Sequence, residues 1–128
     1  KCGEETSEVD ITTFRAYYES AAKCYKKVVA KSYSTIRDKL NLAVVYMELE
    51  KYTEAVELLK KIDKDDATYQ VYMYMAFSYD KLLDFTNARE YCKLAVKIYE
   101  RLPSGEKEPL NSDNIQNLYA LESKMERL

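Results

Sequence analysis

An internal repeat constrains this chain more than any other feature. A shift of 33 residues aligns seven identical pairs: Ala43 with Ala76, Tyr46 with Tyr79, Leu49 with Leu82, Thr53 with Thr86, Ala55 with Ala88, Glu57 with Glu90, and Lys60 with Lys93. A repeat of this length is one supersecondary unit, which buries its apolar face only by stacking against neighbouring units. The chain is therefore expected to fold as a short array of similar units.

Apolar residues recur at spacings of three and four along most of the chain, which is typical of α-helices. The two Gly and two Pro residues lie near the N-terminus or within 103–109, so little interrupts the helices elsewhere. We expect an all-α fold with about six helices in one domain, 1–128. Its predicted parts are a frayed tail (1–9), an N-terminal helix (10–31), a first repeat (34–63), a second repeat (66–101), a loop (103–111) and a C-terminal capping helix (112–128).

Small residues predict where two helices of a unit approach each other closely. Ala43 and Ala55 are such positions in the first repeat, and Ala76, Ala88 and Ala95 in the second. Small residues packed against large ones favour close antiparallel helix pairs. The expected helix N-caps are Asp10, Ser34, Thr53, Asp65 or Asp66, Thr86, and Asn111 or Ser112, because short polar side chains satisfy the free N–H groups of a first turn.

The segments LAVVYMELEKYTEAVELLKKI (42–62) and MAFSYDKLLDFTNAREYCKLA (75–95) resemble the tetratricopeptide repeat family. The resemblance extends over about residues 34–101. Lys39 and Tyr72 stand where that family has Trp, and Ala replaces its small Gly in both repeats. The terminal Pro of the family is missing from the first repeat, and Pro103 comes late after the second. The resemblance implies antiparallel helical hairpins stacked as a short α-solenoid.

In proteins of that family, the first helix of each hairpin lines a concave surface that holds a peptide or a helix. Carried over by position, the peptide-binding candidates are Arg37, Asn41, Val44, Met47 and Glu48 in the first hairpin, and Gln70, Met73, Tyr74, Phe77 and Lys81 in the second. The family's clamp for a terminal carboxylate uses Lys and Asn. Leu40, Val44, Met73 and Phe77 replace clamp residues and only Asn41 remains, which disfavours a receptor for chaperone tails. Alternatively, a terminal helix fills the groove.

Groups that carry out catalysis are scarce in this sequence. It has no His, which removes the usual general base and metal ligand, and two Gly cannot build a phosphate loop. The acidic turn at 63–66 lacks the Gly and Glu of a calcium loop, so we interpret it as a helix start. Cys24 and Cys92 are expected to be buried free thiols. We therefore predict no enzyme activity, no catalytic residues, no metal and no cofactor.

The charge pattern bears on partners and location. The 20 basic and 22 acidic residues are mixed, without a basic stripe for a nucleic acid, and no apolar run is long enough for a membrane span. We expect a cytoplasmic protein. A lipoprotein anchor at Cys2 is a minor alternative, and Lys1 argues against it because small residues normally precede such a site.

The prediction that follows is a non-catalytic module that binds a peptide or helix of a partner protein. Two alternatives stay open. The chain could be the regulatory or scaffolding tail of a larger enzyme, such as a bacterial serine/threonine protein kinase, since it does not begin with Met. It could also be a structural domain that self-associates through an apolar face.

Overall fold

The computed structural model describes residues 11–31, 34–62 and 64–128. Within these ranges the chain is all-helical and contains no strand, as predicted. Its helices are α1 (Ile11–Val29), α2 (Ile36–Glu48), α3 (Tyr52–Lys60), α4 (Tyr69–Lys81), α5 (Phe85–Arg101) and α6 (Asp113–Glu126), with a short 3-10 helix at Ser104–Glu106. They fall into two compact units, Lys1–Ile62 and Asp63–Leu128.

In the first unit, α2 packs against α1 on one side and α3 on the other. Its core is a cluster of buried side chains that α1, α2 and the turn after α2 contribute: Ala21, Ala22, Leu42, Val45 and Leu49. Tyr18, Tyr25 and Tyr46 pack against this cluster with part of their surface in solvent. The tyrosines thus cover the seam between the helices, since an aromatic ring can bury its body and leave its hydroxyl in water.

In the second unit, α4 and α5 form a hairpin, and α6 packs against both of them. The ring of Tyr91 from α5 stacks on two rings of α4, at 6.0 Å from the centroid of Tyr72 and 5.7 Å from that of Tyr79. On α6, Ile115 and Leu118 are fully buried. Two contacts, Asn114 with Tyr74 and Lys124 with Asp80, show that α6 runs in the same direction as α4.

The alanine positions that the repeat predicts are buried in the interior of the two units. Ala43, Ala55, Ala76, Ala88 and Ala95 all have 0% of their surface exposed. A methyl group is the largest side chain that such sites accept without displacing a neighbour. The identities that revealed the repeat are thus the ones that the packing requires.

The two hairpin turns have the same backbone geometry at an offset of 33 residues. Glu50 and Leu83 both adopt a left-handed conformation, with φ of 60° and 62°. Lys51 N donates to Tyr46 O at 2.8 Å, and Asp84 N donates to Tyr79 O at 2.9 Å. A second bond in each turn joins Glu50 N to Met47 O and Leu83 N to Asp80 O, both at 3.0 Å. This is the Schellman motif, which satisfies the last carbonyls of a helix through a left-handed residue.

Several predicted helix starts are wrong by one to three residues. Thr35 caps α2 in a reciprocal capping box with Asp38, where Ser34 was expected. Lys51 and Asp84 are the N-caps of α3 and α5, where Thr53 and Thr86 were expected. Each of them directly follows the left-handed residue of its turn, so the next helix begins earlier than the sequence suggested. Thr68 precedes α4, and Asp65 and Asp66 lie in the turn before it. Ser112 caps α6 as predicted, and Asp10 lies outside the described residues.

The loop between α5 and α6 is held to the hairpin by Glu108 and Lys107. The hydroxyl of Tyr69 donates to the Glu108 carboxylate, and the hydroxyl of Tyr99 donates to the Glu108 backbone carbonyl, each at 2.5 Å. Burial and then the bond to Glu108 raise the pKa of Tyr69 well above its ordinary value. Lys107 lies over the Tyr99 ring, 5.6 Å from its centroid. These contacts hold the loop against both helices of the hairpin.

Candidate protein-interaction surface

Eight of the ten predicted binding residues form two equivalent stripes, one on each first helix. The α2 stripe is Arg37, Asn41, Val44 and Glu48, and the α4 stripe is Gln70, Tyr74, Phe77 and Lys81. Within each stripe the residues are four, three and four positions apart, which places them on one side of a helix. All eight side chains are partly or fully exposed. Each helix therefore presents an accessible row with polar ends.

The α4 stripe is centred on two aromatic rings. Tyr74 and Phe77 make an edge-to-face contact, with ring centroids 6.4 Å apart and planes at 67°. Asn114 of α6 donates its side-chain N–H to the Tyr74 hydroxyl at 3.5 Å. This contact orients Tyr74 from the side, and the exposed part of the pair is left as an apolar surface with a polar edge.

The α2 stripe has an aliphatic centre instead. Val44 is its partly buried apolar residue, with Arg37 and Glu48 exposed at the two ends. Glu48 lies close enough to Tyr18 of α1 to act on it: burial first, and then the charge of Glu48, raise the pKa of the Tyr18 hydroxyl. The two stripes thus share one geometry and differ in chemistry: the C-terminal end of the stripe is the acidic Glu48 on α2 and the basic Lys81 on α4.

The two methionines proposed as an apolar floor are placed differently. Met47 is partly buried at the end of α2. Met73 has 0% of its surface exposed, so its side chain packs in the interior and offers nothing to a partner in this conformation. In the repeat, Met73 is the counterpart of Leu40, which is partly buried on α2. Assigning Met73 to the binding surface is therefore corrected.

The cysteines also differ from the prediction. Cys92 is a free, buried thiol, as expected, and burial followed by the charge of Glu122 raises its pKa to about 12. Cys24 is disulfide-bonded and partly buried rather than a buried free thiol. Sequence spacing could not reveal this bond, because an odd number of widely spaced cysteines fits no disulfide framework.

The described part of the chain contains no group of three or more potential ligands that could hold a metal ion. Where tyrosine pKa values move, burial is the largest cause, as for Tyr46 and Tyr52. Among the helices of residues 11–31, 34–62 and 64–128, none combines the length and apolarity needed to cross a bilayer.

Asn114 is a residue of this surface that the sequence did not indicate. It touches Tyr74 across a separation of 40 residues, whereas the repeat has a period of 33, so no alignment of the repeats points to it. The Tyr69–Glu108 contact, at a separation of 39, was missed for the same reason.

A family model described as tetratricopeptide repeat matches residues 39–62, which cover the last ten residues of α2, the first turn and all of α3. No curated protein and no solved structure matches the chain significantly.

Proposed function

Because residues 39–62 match a family model described as tetratricopeptide repeat, we propose that the chain is a protein-interaction module that binds a peptide or helix of a partner protein. Repeats of this kind suggest such a role. We also propose which surface binds and what kind of segment it accepts.

The observation that carries the proposal is the aromatic pair on α4. Tyr74 and Phe77 lie in contact and partly exposed on one helical stripe. Aromatic side chains supply large contact areas at low conformational entropy, and interface residues that dominate affinity are often of this type. A partner segment with apolar side chains would cover both rings, and Gln70 and Lys81 would contact its polar groups.

The charge at the C-terminal end of each stripe determines which charged residue a bound segment should carry there. Lys81 on α4 is exposed and favours an acidic residue in the bound segment, whereas Glu48 on α2 favours a basic one. A segment that binds the α4 stripe is therefore expected to carry apolar residues near an acidic residue.

The test is an affinity capture with matched variants. The full chain would be used to capture partners from the source cells, and captured proteins would be quantified by mass spectrometry. Phe77→Ala and Tyr74→Ala should deplete the same partner. Leu94→Ala is the control, because it truncates an apolar side chain that is 36% exposed on α5, outside either stripe. This variant should not deplete the partner. If both stripe variants keep the partners of the unchanged chain, the α4 stripe is not the binding surface.

The disulfide at Cys24 bears on location. Such bonds persist in oxidising compartments and are rare in the cytosol. It therefore favours an extracytoplasmic location over the cytoplasmic one predicted from the sequence. Mass spectrometry of protein alkylated at the moment of cell lysis would distinguish the two, because a cytoplasmic chain would be alkylated at Cys24.

Self-association and a tail role in a larger enzyme stay predictions.

A further inference from the structure

Two lysine positions recur in the repeat for a reason other than packing. Each occurs three times at the 33-residue period, and all six side chains are exposed: Lys27, Lys60 and Lys93, and four positions later Lys31, Lys64 and Lys97. The recurring alanines are buried, so packing accounts for them. Most substitutions at exposed positions change stability little, so packing does not require lysine at these six.

The helix dipole explains the lysines of the first two helices but not those of α5. Lys27 lies in the last turn of α1, and Lys60 is the last residue of α3. Cations are favoured there, because the C-terminal end of a helix carries partial negative charge. Lys93 and Lys97 occupy the same repeat positions but lie eight and four residues before Arg101, the last residue of α5. The dipole acts mainly within the last turn, so it does not account for lysine at these two positions.

Lys93, Lys97 and Arg101 form a row of cations on α5, which we call the α5 row. The three residues are four positions apart, so they lie on one side of the helix with about 6 Å between neighbours along its axis. All three are exposed. The ion pairs of the described residues join Arg15 to Glu19 and Lys124 to Asp80, so the row has no anionic partner among them.

The acidic residues around the α5 row leave it unneutralised. Glu100 accepts a hydrogen bond from the Tyr119 hydroxyl of α6 at 2.9 Å, so its carboxylate is turned toward that helix. Glu90 is exposed one turn before the row. Glu122 and Glu126 of α6 line one pocket together with Lys93 at the start of the row, without an ion pair to it. Because glutamates stand between and beside the cations in the sequence, the charge pattern alone does not reveal the row.

From the spacing and charge of the α5 row, we infer that it binds an extended acidic segment of a partner protein, with Asp or Glu at every second position. Side chains two positions apart in an extended segment lie about 6.6 Å apart on one face, which matches the spacing of about 6 Å along the row. Three carboxylates therefore meet three cations at once.

A short protein segment fits this site better than a long polyanion does. The row is one side chain wide and about 12 Å long. The chain as a whole has a charge of −2, so a nucleic acid or an anionic membrane would also meet its 22 acidic residues. The site lies on α5 and does not depend on the proposed role of the α4 stripe.

The probe is a synthetic peptide of about seven residues in which Glu alternates with Ser, with both ends capped to remove the terminal charges. It is titrated into the isotope-labelled full chain at low ionic strength, and amide chemical shifts are followed by NMR. Exposed ion pairs are individually weak, so we expect saturable shifts around Lys93, Lys97 and Arg101 with Kd of about 1–10 mM. Salt at about 1 M should abolish them, because the Debye length is then about 3 Å.

Lys97→Glu should weaken binding about three- to tenfold, because an attraction at the centre of the row becomes a repulsion. Lys81→Glu is the matched control. It makes the same charge change at an exposed lysine of α4 that has no second cation one turn away, and it should leave the affinity unchanged. A peptide of the same composition with its Glu residues adjacent should bind about twofold more weakly or less, since adjacent side chains of an extended segment point to opposite faces.

The inference is overturned if no shifts saturate, if the two variants weaken binding equally, or if the rearranged peptide binds as tightly as the alternating one. It is also overturned if a short single-stranded DNA or vesicles of phosphatidylglycerol shift the same amides at a lower concentration of charge. Either result would mean that the row recognises a polyanion other than a protein segment.

Discussion

The left-handed residues of the two turns predict an inversion of the usual order of glycine and alanine. Glu50 has φ of 60° and an exposed side chain, so truncating it removes few contacts. A left-handed conformation costs a residue with a Cβ about 1–2 kcal/mol. Glycine avoids this cost but loses about 0.5–1 kcal/mol more chain entropy on folding than alanine does. We therefore expect Glu50→Gly to be at least as stable as Glu50→Ala, and more stable by up to about 1.5 kcal/mol, from the difference of these two effects.

The assay is urea denaturation followed by far-UV circular dichroism. The control is Glu57, an exposed residue in the interior of α3, where φ is helical. There, Gly should be less stable than Ala by about 1 kcal/mol. The same inversion should occur at Leu83, whose side chain is 73% exposed. If Gly is less stable than Ala at position 50 by the margin found at position 57, the Schellman turn is not what holds this hairpin.

Three further predictions concern the interior of the second unit. Ala76→Leu should destabilise the hairpin by about 1–3 kcal/mol, because Ala76 is 0% exposed and a larger side chain displaces a helix; thermal melting would measure this. A melting temperature equal to that of the unchanged chain would contradict the packing. Burial, Glu126 and Glu100 raise the pKa of Glu122, so the folded state favours its neutral form. This contribution to stability is present in acid and is lost as pH rises through the folded pKa. Glu122→Gln should therefore raise the melting temperature at neutral pH and much less in mild acid, whereas an equal gain at both pH values would reject the electrostatic cause. Cys92, whose pKa is raised to about 12, should react with iodoacetamide only after unfolding, as peptide mass spectrometry would show; rapid modification of the folded chain would mean that α5 opens.

The positions of the buried alanines could be predicted from the sequence because the packing between helices recurs in each repeat. Ala43 and Ala76 occupy equivalent, fully buried positions in two hairpins, so the same residue recurs. The stripes on α2 and α4 could be placed for the same reason. What a repeat predicts is the geometry that its copies share, and here it predicted helix order, turn positions and the tight contacts.

The helix starts could not be predicted because the turns combine two functions in one residue. The Lys51 backbone N–H donates the Schellman bond to Tyr46 of α2, and the same residue directly precedes the first turn of α3. Its counterpart Asp84 accepts a bond from Asn87 N as a cap, which Lys51 cannot do. A search for polar caps therefore selected Thr53 and Thr86, two residues too late, although the side-chain preference is sound elsewhere, as at Ser112.

The contacts that the sequence could not supply are those outside the period. Asn114 meets Tyr74, and Arg89 meets the carbonyl of Met125, across separations that differ from the repeat length. Met73 was misplaced because its apolar character fits either an exposed floor or the interior, and only the angle of α4 against its neighbours decides between them. A disulfide at Cys24 depends in the same way on a contact that spacing does not encode.

The fastening of the loop at Glu108 has a consequence for how the second unit assembles. Most contacts in this unit join helices that are neighbours in the chain, and such contacts form quickly because little loop must be closed. Tyr69 reaches Glu108 only after α4 and α5 have paired and the chain has returned past Tyr99. We expect the arrival of α6 to be the late step of folding, and the two tyrosine hydroxyls to set how often that helix detaches again. Amide hydrogen exchange in α6 would then report on the bonds that Tyr69 and Tyr99 make to Glu108 in the loop before that helix.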